Sequence, residues 1–166
     1  EIELDLWEKF VNKIYLPYSK KHKLYMQDDG FEDKELVHVD EIPKTERPLN
    51  QNWSWDKILR SPYIKQGDVI QGIYYFENDF SYEFIEKHFR FYEKYTVHES
   101  SLSASIHSVI ASHIDQVEKS YEYFLRSSRL DLDDYNKEVE QGLHITSMAG
   151  SWIAIVEGFG LSLIHI

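Results

Sequence analysis

Apolar residues in this chain recur at intervals of three and four, and strand-like alternation is scarce. That period sets apolar side chains along one face of a helix, which can be buried only by packing helix on helix. Trp7, Phe10, Val11 and Ile14 have helical spacing between Glu3 and Tyr15, with Pro17 as the stop. A short helix fits Trp55 to Arg60, and Val69, Ile70, Ile73 and Tyr74 share a face between Gly67 and Phe76. After Asp79 and Ser81, the residues Phe84, Ile85, Phe89 and Tyr92 mark another helix, and a long one runs from Leu102 to His113. Asp115 and Glu118 form a D-x-x-E start of capping-box type for Val117, Tyr121, Phe124 and Leu125, ending near Arg129. Met148, Trp152, Ile155, Val156 and Phe159 make the last stripe. Ser19 to Asn52 is the exception, with charges, Gly30, Pro43 and Pro48 but no sustained period. It reads as a loop of roughly thirty residues, and loops beyond about fifteen in a compact domain are usually functional. The class is all-α, with the chemistry-bearing residues on alternate loops.

At 166 residues the chain can bury one sizeable core, and one domain is the expectation. Twelve Tyr, nine Phe and four Trp make it rich in aromatic rings, which suit carbohydrate faces as well as a core. A net charge of −11 argues against a nucleic-acid or anionic-membrane partner, so any phosphate site must be local. With no cysteine, disulfide frameworks and thiolate metal sites are excluded. That fits a reducing compartment, and the cytoplasm is the expected location. The chain starts at Glu1 rather than Met, so the true N-terminus is expected upstream. Its apolar C-terminal run is broken by Glu157, Gly150, Gly158 and Gly160 and is too short to span a bilayer.

Two loop-to-helix junctions carry the chemistry. In GLHITSMAGSW, Gly142 leads a loop that delivers His144, Thr146 and Ser147 to the first turn of the last helix. Thr146 and Ser147 stand where caps stand, and free N–H groups there favour an anion, with His144 as an extra donor or charge. The ordinary alternative is a capped helix. VHESSLSASIHSVIASHI repeats the pattern: His98, Glu99, Ser100 and Ser101 precede a stripe of Leu102, Ile106, Val109 and Ile110. Glu99, an acceptor-only carboxylate, suits sugar hydroxyls, or serves as a first-turn acid on the helix dipole. Converging junctions would bind an oxyanion beside a hydroxylated substrate. Asp131, Asp133 and Asp134 resemble a calcium loop, but Tyr135 and Asn136 stand where its later acid and glycine belong. His107 and His113 are six apart, not the four that pairs ligands on one face, and no G-x-S-x-G elbow exists.

With those segments in hand, the chain resembles glycoside hydrolase family 65 over about Glu1 to Gly160. TVHESSLSASIHS, RLDLDDYN and GLHITSMAGSW are typical of the whole family, which includes trehalose, kojibiose and nigerose phosphorylases. RPLNQNWSWDKILRSPYIKQ is more particular to the maltose branch. Gly67 stands where the family usually has Ala, and Ala104-Ser105 where Pro-Cys is common.

The resemblance implies the C-terminal half of an (α/α)6 barrel, with residues 1–160 as the partial catalytic barrel. The site would lie at one mouth, at inner-helix N-termini. The implied reaction is inverting phosphorolysis, maltose plus phosphate giving β-glucose 1-phosphate and glucose, with inorganic phosphate as co-substrate and no cofactor or metal. An inverting hydrolase needs a general acid and a base that activates water, and an anionic phosphate nucleophile replaces that base. By resemblance, Lys65, Gln66 and Glu99 hold the reacting glucosyl unit. Ser100, Ser101 and His144, with Thr146 and Ser147, bind phosphate. Lys65 as a snorkelling surface lysine is the commoner fate. The family's general acid is a Glu upstream of this chain, so no catalytic residue is assigned within it and the chain alone is expected to be inactive. A homodimer is implied for the full-length protein. LSLIHI, Leu161 to Ile166, departs from the family and matches translation of a transposon end used in sequencing-library preparation, so it reads as non-native. The competing readings are a trehalose or kojibiose phosphorylase and a non-catalytic helical carbohydrate-binding module.

Overall fold

The computed structural model describes residues 2–160, so the expectation for Leu161 to Ile166 lies outside the described residues. Helix α1 (Ile2–Val11) is followed by a hairpin of β1 (Tyr18–Ser19) and β2 (Leu24–Tyr25), paired antiparallel as Tyr18↔Tyr25 and Ser19↔Leu24. Three 3-10 turns then lead into the short α2 (Leu49–Asn52) and α3 (Trp55–Arg60). The main body is α4 (Asp68–Tyr75), α5 (Tyr82–Tyr92), α6 (Ala104–His113), α7 (Val117–Ser128) and α8 (Ile145–Ile153), which runs on as a π-helical segment, Ala154–Phe159. Among the described residues the structure is all-α apart from that hairpin and one parallel bridge, Ile64↔Thr96.

Local signals explain several boundaries. Ser81 caps α5 by accepting from Phe84 N–H, and Ser54 caps α3 by accepting from Lys57 N–H. In α5 the predicted stripe is the buried one: Ile85, Phe89 and Tyr92 pack with Ile70 and Ile73 of α4 and Ile106 and Ile110 of α6. Each such side chain contributes about 1.5–3 kcal/mol on burial. The aperiodic stretch before α2 is ordered by the same core. Leu24, Met26 and Phe31 are buried in it, and Tyr92 donates to Tyr25 C=O at 2.7 Å.

Three expectations fail locally. The capping box before α7 does not form: Asp115 takes a left-handed φ of 59°, and Gln116 is the N-cap without a side-chain bond. Leu102 lies in the turn ahead of α6 and is exposed, so the stripe begins at Ile106. In α7, Val117 and Tyr121 are exposed while Ser120, Tyr123 and Ser127 are buried. In α8 and the segment after it, Met148, Trp152, Ile155 and Val156 are exposed, as a partial barrel is expected to leave them, whereas Ser147, Gly150, Ala154 and Gly158 face inward. The reason is close packing through small residues. Ser108 and Ser120 each donate to the other's carbonyl at 2.8 Å, joining α6 to α7. Ser127 and Ser147 do the same at 3.2 and 2.7 Å, joining α7 to α8. Buried hydroxyls need such partners, and small side chains let the backbones come close enough to supply them.

Candidate functional site

Inner helices α4, α6 and α8 all present their N-termini to one end, and the polar residues read from the sequence sit on the loops entering them. The first loop comes off the Ile64↔Thr96 bridge, so Lys65 and Gln66 lie beside the strand-like run that leads to Glu99. Lys65 and Glu99 line one hollow with Leu49, Trp55, Tyr63 and Val97. Lys65 also lines a neighbouring hollow of about 200 Å³ with Gln66, Asp68, Gln27 and Asp28. Among the described residues Lys65 has no ion pair, so its ammonium is available to a ligand.

Hydrogen bonds tie the three loops together. Ser100 Oγ donates to Gln66 Oε1 at 2.8 Å, joining the α4 and α6 entrances. Ser101 Oγ and Thr146 Oγ1 lie 2.6 Å apart, joining the α6 and α8 entrances. The hydroxyl of Thr146 is therefore shared with Ser101 rather than capping its own helix. The amides of Ile145 and Thr146 have no partner among the described residues, as expected for a first turn awaiting an acceptor.

His144 and Ser147 depart from the expected geometry. His144 is the N-cap residue of α8, and Asp131 holds it twice. One carboxylate oxygen accepts from the His144 N–H at 2.8 Å and the other faces Nδ1 at 2.6 Å. Burial pushes the Asp131 carboxyl up, but the bonds from His144 outweigh it and hold the group below its ordinary range. An ionised Asp131 accepts only, so Nδ1 carries the proton and Nε2 is left to face Glu138, 3.6 Å away. Ser147 is a correction. Its hydroxyl is buried and donates to Ser127 C=O, and its N–H bonds His144 C=O, so neither is offered at the mouth.

Glu99 is 5% exposed and already engaged. Arg47 Nε donates to Oε1 at 3.1 Å, and Leu49 N–H to Oε2 at 2.7 Å. A carboxylate has about four acceptor positions, so two remain for a ligand in the Lys65 hollow. Arg47 and Asp131 are the functional side chains that sequence reasoning left without a role. Arg47 is 52 positions from Glu99, and Asp131 is 13 from His144. Neither separation matches a periodic spacing, so only the fold pairs them. Among the described residues no group of three or more His, Asp or Glu side chains is arranged to hold a metal ion. No helix there is long and apolar enough to cross a membrane.

Residues 1–153 match the family described as "Glycosyl hydrolase family 65 central catalytic domain". The chain is 53% identical over 159 residues to maltose phosphorylase of Bacillus subtilis (strain 168), a match covering 96% of this chain and 21% of that protein. It is 42% identical over 158 residues to alpha,alpha-trehalose phosphorylase of Thermoanaerobacter brockii, covering 95% and 20%. To kojibiose phosphorylase of Halothermothrix orenii it is 39% identical over 160 residues, covering 96% and 20%. A solved structure, a putative kojibiose phosphorylase from human microbiome, superposes with a TM-score of 0.80 at 42% identity, covering 90% of this chain and 20% of that one. The chain thus spans about one fifth of the length of these relatives. With its helices, its loop entrances and this match over most of its length, the chain belongs to glycosyl hydrolase family 65.

Proposed function

We propose that this chain is part of the catalytic barrel of an inverting disaccharide phosphorylase, and supplies the binding half of its site. The reaction is maltose plus phosphate to β-glucose 1-phosphate and glucose. The observation that carries the reading is the hydrogen-bonded line across three helix entrances, Gln66–Ser100 and Ser101–Thr146. It joins a sugar-suited group (Lys65, Gln66, Glu99) to an anion-suited group (Ser100, Ser101, Thr146), to which His144 adds Nε2 as a donor in its imidazolium form. Phosphate held at the α6 and α8 entrances attacks the anomeric carbon from the face opposite the departing glucose. The glycosidic C–O bond breaks, and a general acid outside residues 1–160 protonates the leaving oxygen. A positioned phosphate needs no base to activate it, so this part of the barrel need only bind and orient.

The 53% identity to a maltose phosphorylase favours maltose, and the 42% identities to trehalose and kojibiose enzymes keep those disaccharides as the second reading. The full-length protein, assayed with maltose, trehalose and kojibiose beside phosphate, distinguishes them by which releases glucose 1-phosphate. Release from none would leave a non-catalytic carbohydrate-binding module. In the active enzyme, His144→Ala weakens phosphate use while sparing glucose binding, and Glu99→Gln does the reverse. An unchanged phosphate dependence in His144→Ala refutes the phosphate assignment. This chain by itself, lacking the acid, releases no glucose 1-phosphate.

A further inference from the structure

The polar groups of the α6 entrance are aimed by a backbone turn at His98, directly before Glu99. Of the five non-glycine residues with positive φ among those described, His98 (φ 53°) is the buried one; Lys23, Asp115, Asp134 and Lys137 are exposed. A non-glycine residue persists there only when its surroundings over-determine it. Those surroundings act on ring and carbonyl alike. The ring meets Ser103 Oγ through Nδ1 at 2.8 Å and packs edge-on against His107, centroids 4.5 Å apart. The His98 carbonyl accepts from Arg126 Nη2 at 2.8 Å and Nε at 3.2 Å. The carbonyl before it, on Val97, accepts from Arg47 Nη2 at 2.5 Å, with Arg126 Nη2 at 3.4 Å. Arg126 thus reaches from α7 to the loop and bonds the two peptide units that flank His98, directly before Glu99. Among the described residues its hydrogen bonds go to those backbone carbonyls and not to the Glu99 or Ser100 side chain.

We infer that Arg126 is a positioning residue: by clamping the left-handed turn at His98 it sets where the Glu99 carboxylate and Ser100 hydroxyl stand. The inference rests on the phosphorylase reading for its kinetic consequence but not for its structural one. Lysine at this position keeps the charge and loses the planar fork that serves two carbonyls. In the full-length protein, Arg126→Lys and Arg126→Ala should fold and stay protected from amide exchange through α6 and α7. Exchange should rise locally at residues 97–101. KM should rise for both maltose and phosphate, and kcat/KM should fall about ten- to a hundredfold with the folded fraction unchanged, as small misplacements near a reacting centre do. Exchange that rises evenly through α6 and α7, failure of both variants to fold, or unchanged kcat/KM in a folded variant of an active enzyme would each overturn the inference. A wild-type protein without phosphorolysis refutes the functional reading alone, and the exchange pattern then decides the role of Arg126 by itself.

Discussion

Helices α6 and α8 begin at similar polar junctions, yet their sides meet opposite surroundings. From Ala104 to Ala111 every residue of α6 is buried, so its apolar and small faces both have neighbours. In α8 only Ser147 and Gly150 are buried, while Met148 and Trp152 are 51% and 63% exposed. The small face of α8 is turned to α6 and α7 because Gly150 sits against Ser105, where any larger residue would collide. Periodicity identifies the faces of a helix. Which face meets a neighbour depends on how closely the backbones approach.

The comparison breaks most easily at its buried end. In the 166-residue chain, Ile110→Ala in α6 should lower unfolding free energy by about 2–5 kcal/mol, whereas Ile155→Ala in the segment after α8 should stay within about 0.5 kcal/mol. Equal losses in urea melts would show that the two helices are not differently housed.

Acid should act next, through the inner side of α6. Burial holds His107 neutral, with its pKa lowered to about 4, against about 6.5 when unfolded. Between those values the unfolded chain binds the extra proton, so stability is full above about 6.5 and falls as pH drops toward 4, by about 3 kcal/mol at most. Urea midpoints at pH 7 and pH 5 check this, and a flat profile would contradict it.

A methyl group at Gly150 should cost about 1–3 kcal/mol, because its Cβ would lie 2.4 Å from Ser105 Oγ and 2.6 Å from Ser105 Cβ. Ser105→Gly in the same chain should recover part of that loss, and strict additivity of the two changes would rule out the contact as its cause.

The smallest expected effect lies where α6 meets the π-helical segment. His113 Nδ1 faces Glu77 at 2.6 Å and Nε2 faces the Glu157 carbonyl at 2.8 Å, two acceptors that only the imidazolium serves together. The hydrogen bond it donates to Glu77 chiefly holds its pKa up. Its contribution is therefore full below about 6.5 and fades as pH rises through the folded value, the opposite sign to His107. Glu77→Gln should remove that slope, and a slope that survives would assign it elsewhere.

The sequence was most legible where a stripe and a cap agreed, as at Ser81 and the Phe84, Ile85, Phe89 and Tyr92 face of α5. It was least legible in α7 and α8, whose contacts are made by serines and glycine that carry no apolar signal. The residue types at the α4, α6 and α8 entrances were readable, and their linkage through Ser100 and Thr146 was not. Ser147 misled because its position in the first turn of α8 fits a cap or anion contact equally well, and a serine can also satisfy the neighbouring helix. Arg47, Arg126 and Asp131 act across loops and helices with no repeating interval, so nothing in the linear pattern marks them.

Each entrance residue stands at the head of one inner helix, and α5 and α7 return the chain between them. The entrances are therefore separate in sequence yet coupled in space: Gln66–Ser100 and Ser101–Thr146 join the loops, and Arg126 reaches the α6 entrance from α7. An exchange with a relative would have to carry all three entrances together with Arg126, the unit that these hydrogen bonds define.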